Sequence, residues 1–201
     1  MRSDQALIQI VDAALAEAAR LAGPWLACRP GCTQCCIGPF PITPLDVRRL
    51  REGLAELESR DPGRAARVRE RARDSAARLT RDYPGDTLAR VLDEDEAGEN
   101  EACPALDPGS GMCDLYAARP ITCRRFGPPV RFKDEALAVC ELCFHGASDA
   151  EIAACEVEID PENLESALLA EFEDPSETII AFALAGPSGL TVAQPMPPLS
   201  T

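Results

Sequence analysis

Residues 28–46 read CRPGCTQCCIGPFPITPLD, and the fold turns on how this stretch divides. Its first half carries four cysteines, Cys28, Cys32, Cys35 and Cys36, around Pro30 and Gly31. Proline and glycine so placed interrupt any continuous helix and predict turns. Its second half carries a helix start. Thr43 suits the capping position, Pro44 the first helical position, and Asp46 falls in the first turn, where a carboxylate favours the helix dipole. A sulfur-rich loop feeding directly into a helix predicts a mainly α protein: a small helical chain around an irregular cysteine-rich, metal-binding core, with little or no sheet.

The flanking sequence extends this pattern. Leu7, Ile10, Val11, Ala14, Leu15, Ala18 and Leu21 recur at helical spacing, with Asp12, Glu17 and Arg20 off the stripe, so 4–22 is read as an amphipathic helix stopped by Gly23 and Pro24. The helix after Thr43 is expected to run to about Ser59. Asp61 caps and Pro62 opens a third, ending near Tyr83, and a short one covers 86–92. Residues 93–101 (DEDEAGENE) form an acidic linker, and 103–146 is irregular and rich in Cys, Pro, Gly and Arg. Two further helices are expected over 148–157 and 161–172, the second opened by Asp160 and Pro161. Residues 175–185 fit helix or strand. We expect one domain over 1–185. Within it, 25–146 is the metal-binding core, 44–92 a helical excursion and 148–185 a set of packed helices, followed by a proline-rich tail over 186–201.

Composition narrows the function. The 201-residue chain is 46% hydrophobic but only 4% aromatic, and alanine and leucine supply much of the apolar content, which favours packed helices. Lys plus Arg is 20 against 34 Asp plus Glu, a formal net charge of −14. A field of that sign repels phosphate backbones and anionic lipid, so neither nucleic acid nor a membrane is an expected partner. The longest apolar run, TIIAFALA at 178–185, is far shorter than the roughly 20 residues of a spanning helix. Asp4, Asp12 and Glu17 interrupt what would be the apolar region of a signal peptide. The expected location is therefore cytoplasmic. In that reducing compartment ten cysteines point to metal binding or redox chemistry ahead of disulfides.

Nine of the ten cysteines fall in the two irregular segments: Cys28, Cys32, Cys35 and Cys36, then Cys103, Cys113, Cys123, Cys140 and Cys143. Cys155 stands apart in an expected helix. Thiolates must converge about 2.3 Å from a zinc ion, and turns aim side chains more freely than helices do. Eight or nine thiols exceed one four-thiolate site, so two ions or one multinuclear cluster are expected. Neighbouring side chains of extended backbone point to opposite sides. Either one of Cys35 and Cys36 is a ligand and the other packs, or the pair reaches two centres. Soft thiolates suit zinc, Cu(I) and iron–sulfur clusters alike. Arg119, Arg124 and Arg125 flank Cys123, where guanidinium groups would offset thiolate charge and donate to sulfur. For Arg119 the alternative is packing on Tyr116 or capping a carbonyl. The single histidine, His145, gives little support to hydrolytic chemistry, and no catalytic residue is assigned.

The order Cys28-x3-Cys32-x2-Cys35-Cys36, then Cys103-Pro-Ala-Leu, then Cys113-x2-Tyr-x2-Arg-Pro-x2-Cys-Arg-Arg-Phe resembles the YkgJ-type cysteine-cluster family. That family is named for a CxxCxxCC pattern and is described as chelating zinc or iron. The likeness covers about 25–146 and includes the helix start Pro41-Ile-Thr43-Pro-Leu-Asp46; the first cysteine gap here is one residue longer. The resemblance implies Cys28, Cys32, Cys35, Cys36, Cys103, Cys113 and Cys123 as ligands to zinc or iron, with Cys140, Cys143 or both closing the set. It implies a cytosolic metal-chelating protein whose role is open. Two alternatives stand beside it. One is an iron–sulfur enzyme of protein-modifying type, because the related flagellin lysine methylases carry a similar cluster. The other is a thiol–disulfide switch using Cys140-x2-Cys143 or the vicinal pair.

Overall fold

The computed structural model describes residues 2–93, 97–133, 135–136 and 139–186. In it Thr43 and Asp46 cap each other: the Thr43 hydroxyl accepts from the Asp46 N–H at 3.4 Å, and the Asp46 carboxylate from the Thr43 N–H at 3.3 Å. This reciprocal box satisfies two otherwise orphaned donors. It follows α1 (Arg2–Ala22) and opens α2 (Pro44–Arg60). Asp61 ends α2 and caps α3 (Pro62–Asp82) by accepting from the Arg64 N–H at 2.9 Å. Helix α4 (Thr87–Asp93) comes next. These four helices lie within a few residues of their expected spans, because caps, prolines and apolar stripes act locally.

The second half departs further. Helix α5 (Ile121–Arg125) stands inside the cysteine-rich segment. Helix α6 (Asp149–Ala153) starts with a Ser148–Glu151 capping box but stops after five residues. Val157 and Glu158 pair instead as a strand, because Val157 packs beside Val130 and Ile159 in a small buried cluster. Helix α7 is confined to Leu164–Leu169. The Asp160 carboxylate caps it from four and five residues away, accepting from the N–H groups of Leu164 and Glu165, each at 2.9 Å. Over 175–185 both expectations are met in part. Thr178 exchanges backbone hydrogen bonds with Ile42, and Ile180–Ala185 form α8. The proline-rich tail lies outside the described residues from 187 onward, as do residues 94–96 of the acidic linker.

Among the described residues sheet is confined to two small pieces, and the fold is mainly α. Strands β1 (Leu106–Asp107) and β2 (Met112–Cys113) form a hairpin in the register Leu106 to Cys113. Strands β3 (Val130–Phe132), β4 (Glu135–Ala136) and β5 (Val157–Glu158) form a sheet in the order β4-β3-β5, antiparallel then parallel.

The largest core lies between α2, α3 and α8. Ala65, Val68 and Ala72 present a low-profile face of α3 to Ile180, Ala183 and Leu184, so the helices approach closely. A second cluster joins Leu7 and Val11 of α1 to Leu45, Ile121 and Leu168. Both cores border the cysteine-rich segment and hold it in place. Gly53, inside α2, allows one such contact, because an added Cβ would stand 2.4 Å from that of Ala118. Gly53→Val is therefore expected to destabilise the protein by about 1–3 kcal/mol through overpacking. Urea unfolding tests this. An unchanged midpoint would mean that the 116–118 turn gives way freely.

Candidate metal centre

Cys28, Cys32, Cys35 and Cys36 are carried by turns between α1 and α2. The Cys32 N–H donates to the Arg29 carbonyl at 2.9 Å, and Gly31 takes a left-handed φ of 86°. A single 3-10 turn, Gln34–Cys36, follows. All ten cysteines are free thiols.

The backbone then gathers the distant cysteines around this loop in two places. At one, the Cys103 N–H donates to the Cys36 carbonyl at 2.7 Å, and Ile37 bridges to Ala102. The β1–β2 hairpin places Cys113 opposite Leu106, three residues beyond Cys103. Cys103, Cys113 and Cys123 all pack against the α2–α3–α8 core. At the other, Gly127 lies so close to Cys28 that a Cβ there would stand 2.8 Å from the sulfur, while the Gly127 carbonyl accepts from the Cys140 N–H at 3.4 Å. Cys143 then turns back on Cys140 (N–H to carbonyl, 2.8 Å), and the Phe144 N–H reaches the Trp25 carbonyl at 2.9 Å. Cys140 and Cys143 share a small apolar cluster with Trp25, Leu26, Ala27, Phe144 and Cys155.

The electrostatics follow the same division. Burial, then the Cys143, Cys140 and Cys32 sulfurs, pushes the Cys28 thiol up to about 12. Burial raises Cys140, which has Cys143 and Cys32 as sulfur neighbours. In the other place the Cys36 hydrogen bond draws Cys35 down to about 6, aided by Arg119. The same bond, followed by burial, pushes Cys36 up, and its further sulfur neighbours are Cys103 and Cys113. Burial pushes Cys103 up to about 11 and raises Cys113 and Cys123; Cys35 neighbours all three. Cys35 and Cys36 thus remain together. Among the described residues, no three His, Cys, Asp or Glu side chains stand positioned to hold one ion between them.

A scan against family models matches residues 27–144 to CxxCxxCC, described as a putative zinc- or iron-chelating domain. The match spans more than half of the chain. The chain belongs to the CxxCxxCC family. The family segment encloses the nine clustered cysteines and ends before Cys155, which is buried against Ala22 and Phe144. This CxxCxxCC member has three residues in its first cysteine gap. No curated protein and no solved structure matches it.

The three arginines beside Cys123 differ in placement. Arg119 combines both readings: its guanidinium lies 3.6 Å from the Tyr116 ring centroid, donates to the Tyr116 carbonyl at 3.0 Å, and favours the Cys35 and Cys113 thiolates. Arg124 is buried and donates to the carbonyls of Arg119 and Ala117 and to Asp12, so it shapes the turn before the cysteine. Arg125 covers the Phe132 ring at 4.7 Å and donates to the Thr122 hydroxyl at 3.4 Å. Two supports escape a reading by motif. Gly127 accommodates the Cys28 sulfur, but in Arg-Phe-Gly-Pro-Pro it signals only a turn. Asp114, next to Cys113, is an ordinary surface residue in sequence, but its side chain is 1% exposed in the fold.

Proposed function

We propose that this protein is a cytoplasmic metal-binding protein that chelates zinc or iron through Cys28, Cys32, Cys35, Cys36, Cys103, Cys113, Cys123, Cys140 and Cys143. The observation that carries it is the CxxCxxCC match over 27–144, which contains all nine of these thiols and excludes Cys155. The donor chemistry fits: soft sulfur ligands on turns, drawn from segments far apart in the sequence, suit zinc, iron or an iron–sulfur cluster. To serve as ligands the thiols must lose their protons and turn about their side-chain bonds, so binding strengthens as pH rises. Bound metal would supply cross-links between these loops. Arg119 would offset part of the thiolate charge. A thiol–disulfide switch is the second reading, favoured by the nearness of the Cys28 and Cys143 thiols.

Anaerobic purification followed by an absorption spectrum and elemental analysis tests this reading. We expect bound metal: a colourless protein with stoichiometric zinc, or a brown one with matched iron and sulfide. Cys32→Ser should lower the metal content, while Cys155→Ser should retain it. A metal-free protein, or equal losses in the two variants, would overturn the assignment.

A further inference from the structure

We propose that the cysteines form two separate centres, one of Cys28, Cys32, Cys140 and Cys143 at the surface and one within Cys35, Cys36, Cys103, Cys113 and Cys123 against the core, and that only the surface centre exchanges its ion readily. This rests on the metal-binding reading above and adds the division of its ligands and a difference in their roles.

The division follows from backbone geometry. Gly127 touches the Cys28 sulfur through its α-carbon side and holds the Cys140 N–H with its carbonyl, so Cys28 and the Cys140–Cys143 turn share one anchor. The Phe144 N–H bond to Trp25, reinforced by stacking of the two rings at 6.2 Å, fixes that turn against the segment leading into Cys28. Cys32 and Leu142 line the same open depression, of about 340 Å³, which brings Cys32 to the turn as well. The other cysteines are tied to a different place: Cys103 to Cys36 through the backbone, Cys113 to the Cys103 segment through the hairpin, and Cys123 to the α2–α3–α8 core. Every thiol whose sulfur neighbours are defined has them within its own set. One ion takes four thiolates in a closed site. The first set supplies four; the second supplies five, including the vicinal pair.

The settings predict different behaviour. Cys143 is buried, but Cys28 is exposed, and the depression beside Cys32 admits a competing ligand to the first centre from that side. Cys103, Cys113 and Cys123 are partly buried and pack against the α2–α3–α8 core, so an incoming ligand reaches the second less directly. The first centre therefore suits delivery or capture of an ion, and the second suits holding the fold.

The test loads the full-length, reduced chain with zinc anaerobically, counts bound zinc, and follows its removal by excess chelator. We expect two equivalents in the unaltered chain, leaving in a fast and a slow phase of equal size. The double variant Cys140→Ser/Cys143→Ser should hold one equivalent and lack the fast phase. Cys113→Ser/Cys123→Ser should lose the slow phase; if it does not fold, the first variant and the unaltered chain still decide. Loss of all zinc from Cys140→Ser/Cys143→Ser, or a single equivalent in the unaltered chain, would overturn the two-centre division while leaving chelation intact. Persistence of the fast phase in that variant would overturn the exchange assignment. No bound zinc or iron in the unaltered chain would instead defeat the metal-binding reading.

Discussion

Asp46→Ala is expected to lower stability by about 3–5 kcal/mol, the usual cost of leaving a buried charge without its partner. Asp46 is 1% exposed, and its carboxylate serves three donors. It accepts from the Thr43 N–H at the start of α2, from the Arg49 guanidinium at 2.6 Å, and from the Ile121 N–H at 3.0 Å. The Ile121 N–H is an end-of-helix donor of α5, so one carboxylate caps two helices. Alanine would orphan both N–H groups and leave Arg49, itself 8% exposed, with Asp4 as its remaining described partner and an already unpaired Nε. Asp46→Asn keeps an oxygen acceptor but loses the charge, and should cost less than the alanine variant, about 1–3 kcal/mol. Chemical denaturation of both variants checks the order. Equal midpoints for Asp46→Asn and Asp46→Ala would mean that the charge on Arg49 is already neutralised by Asp4. Because α5 carries Cys123, the alanine variant should also bind less metal than the unaltered chain.

Asp46 also marks the boundary of what sequence alone conveys. Its position three residues after Thr43 announces the α2 cap, because that interaction is local. Its second task, at Ile121, depends on a contact across 75 residues that no spacing encodes. The same split runs through the fold. Helices α1 to α4 are legible from stripes, prolines and caps, whereas the two helices expected over 148–172 are present but shorter, because pairing with β3 overrides helix propensity at Val157 and because Asp160 caps α7 from four and five residues away. At the candidate centre, the residue types, their clustering and the family are legible. The grouping is not, since the chain folds Cys140 and Cys143 beside Cys28 and Cys32, and Cys103, Cys113 and Cys123 beside Cys35 and Cys36. Counting thiols suggests more than one ion or a cluster, but contacts made only in the fold, among them the Gly127 contact and the Cys36–Cys103 bond, indicate which thiols belong together.

Asp114→Ala should cost about 3 kcal/mol, less than the Asp46 variant, and should disturb the core-side thiols more than the surface ones. The Asp114 carboxylate is 1% exposed and pairs with Arg64 and, at 2.6 Å, with Arg71, both on α3. Arg71 also donates to the Pro104 carbonyl at 2.9 Å, and the Asp114 N–H donates to the Ala105 carbonyl at 2.7 Å. Helix α3 thereby grips the chain on both sides of the Cys103–Cys113 hairpin. Without the carboxylate, Arg64 and Arg71 keep partial access to water, at 39% and 23% exposure, and can recover some solvation. Arg49 has no such recourse, which is why the Asp46 effect is the larger. The hairpin itself has only two paired residues on each strand and too little sheet to hold its register unaided. We therefore expect Asp114→Ala to speed the slow phase of zinc removal and leave the fast phase unchanged. Asp114→Asn should lie between it and the unaltered chain, because the amide oxygen can still accept from one arginine. A variant that sped both phases equally would mean that the hairpin supports all of the thiols together, and that the two sets do not respond independently to the way α3 holds Cys113.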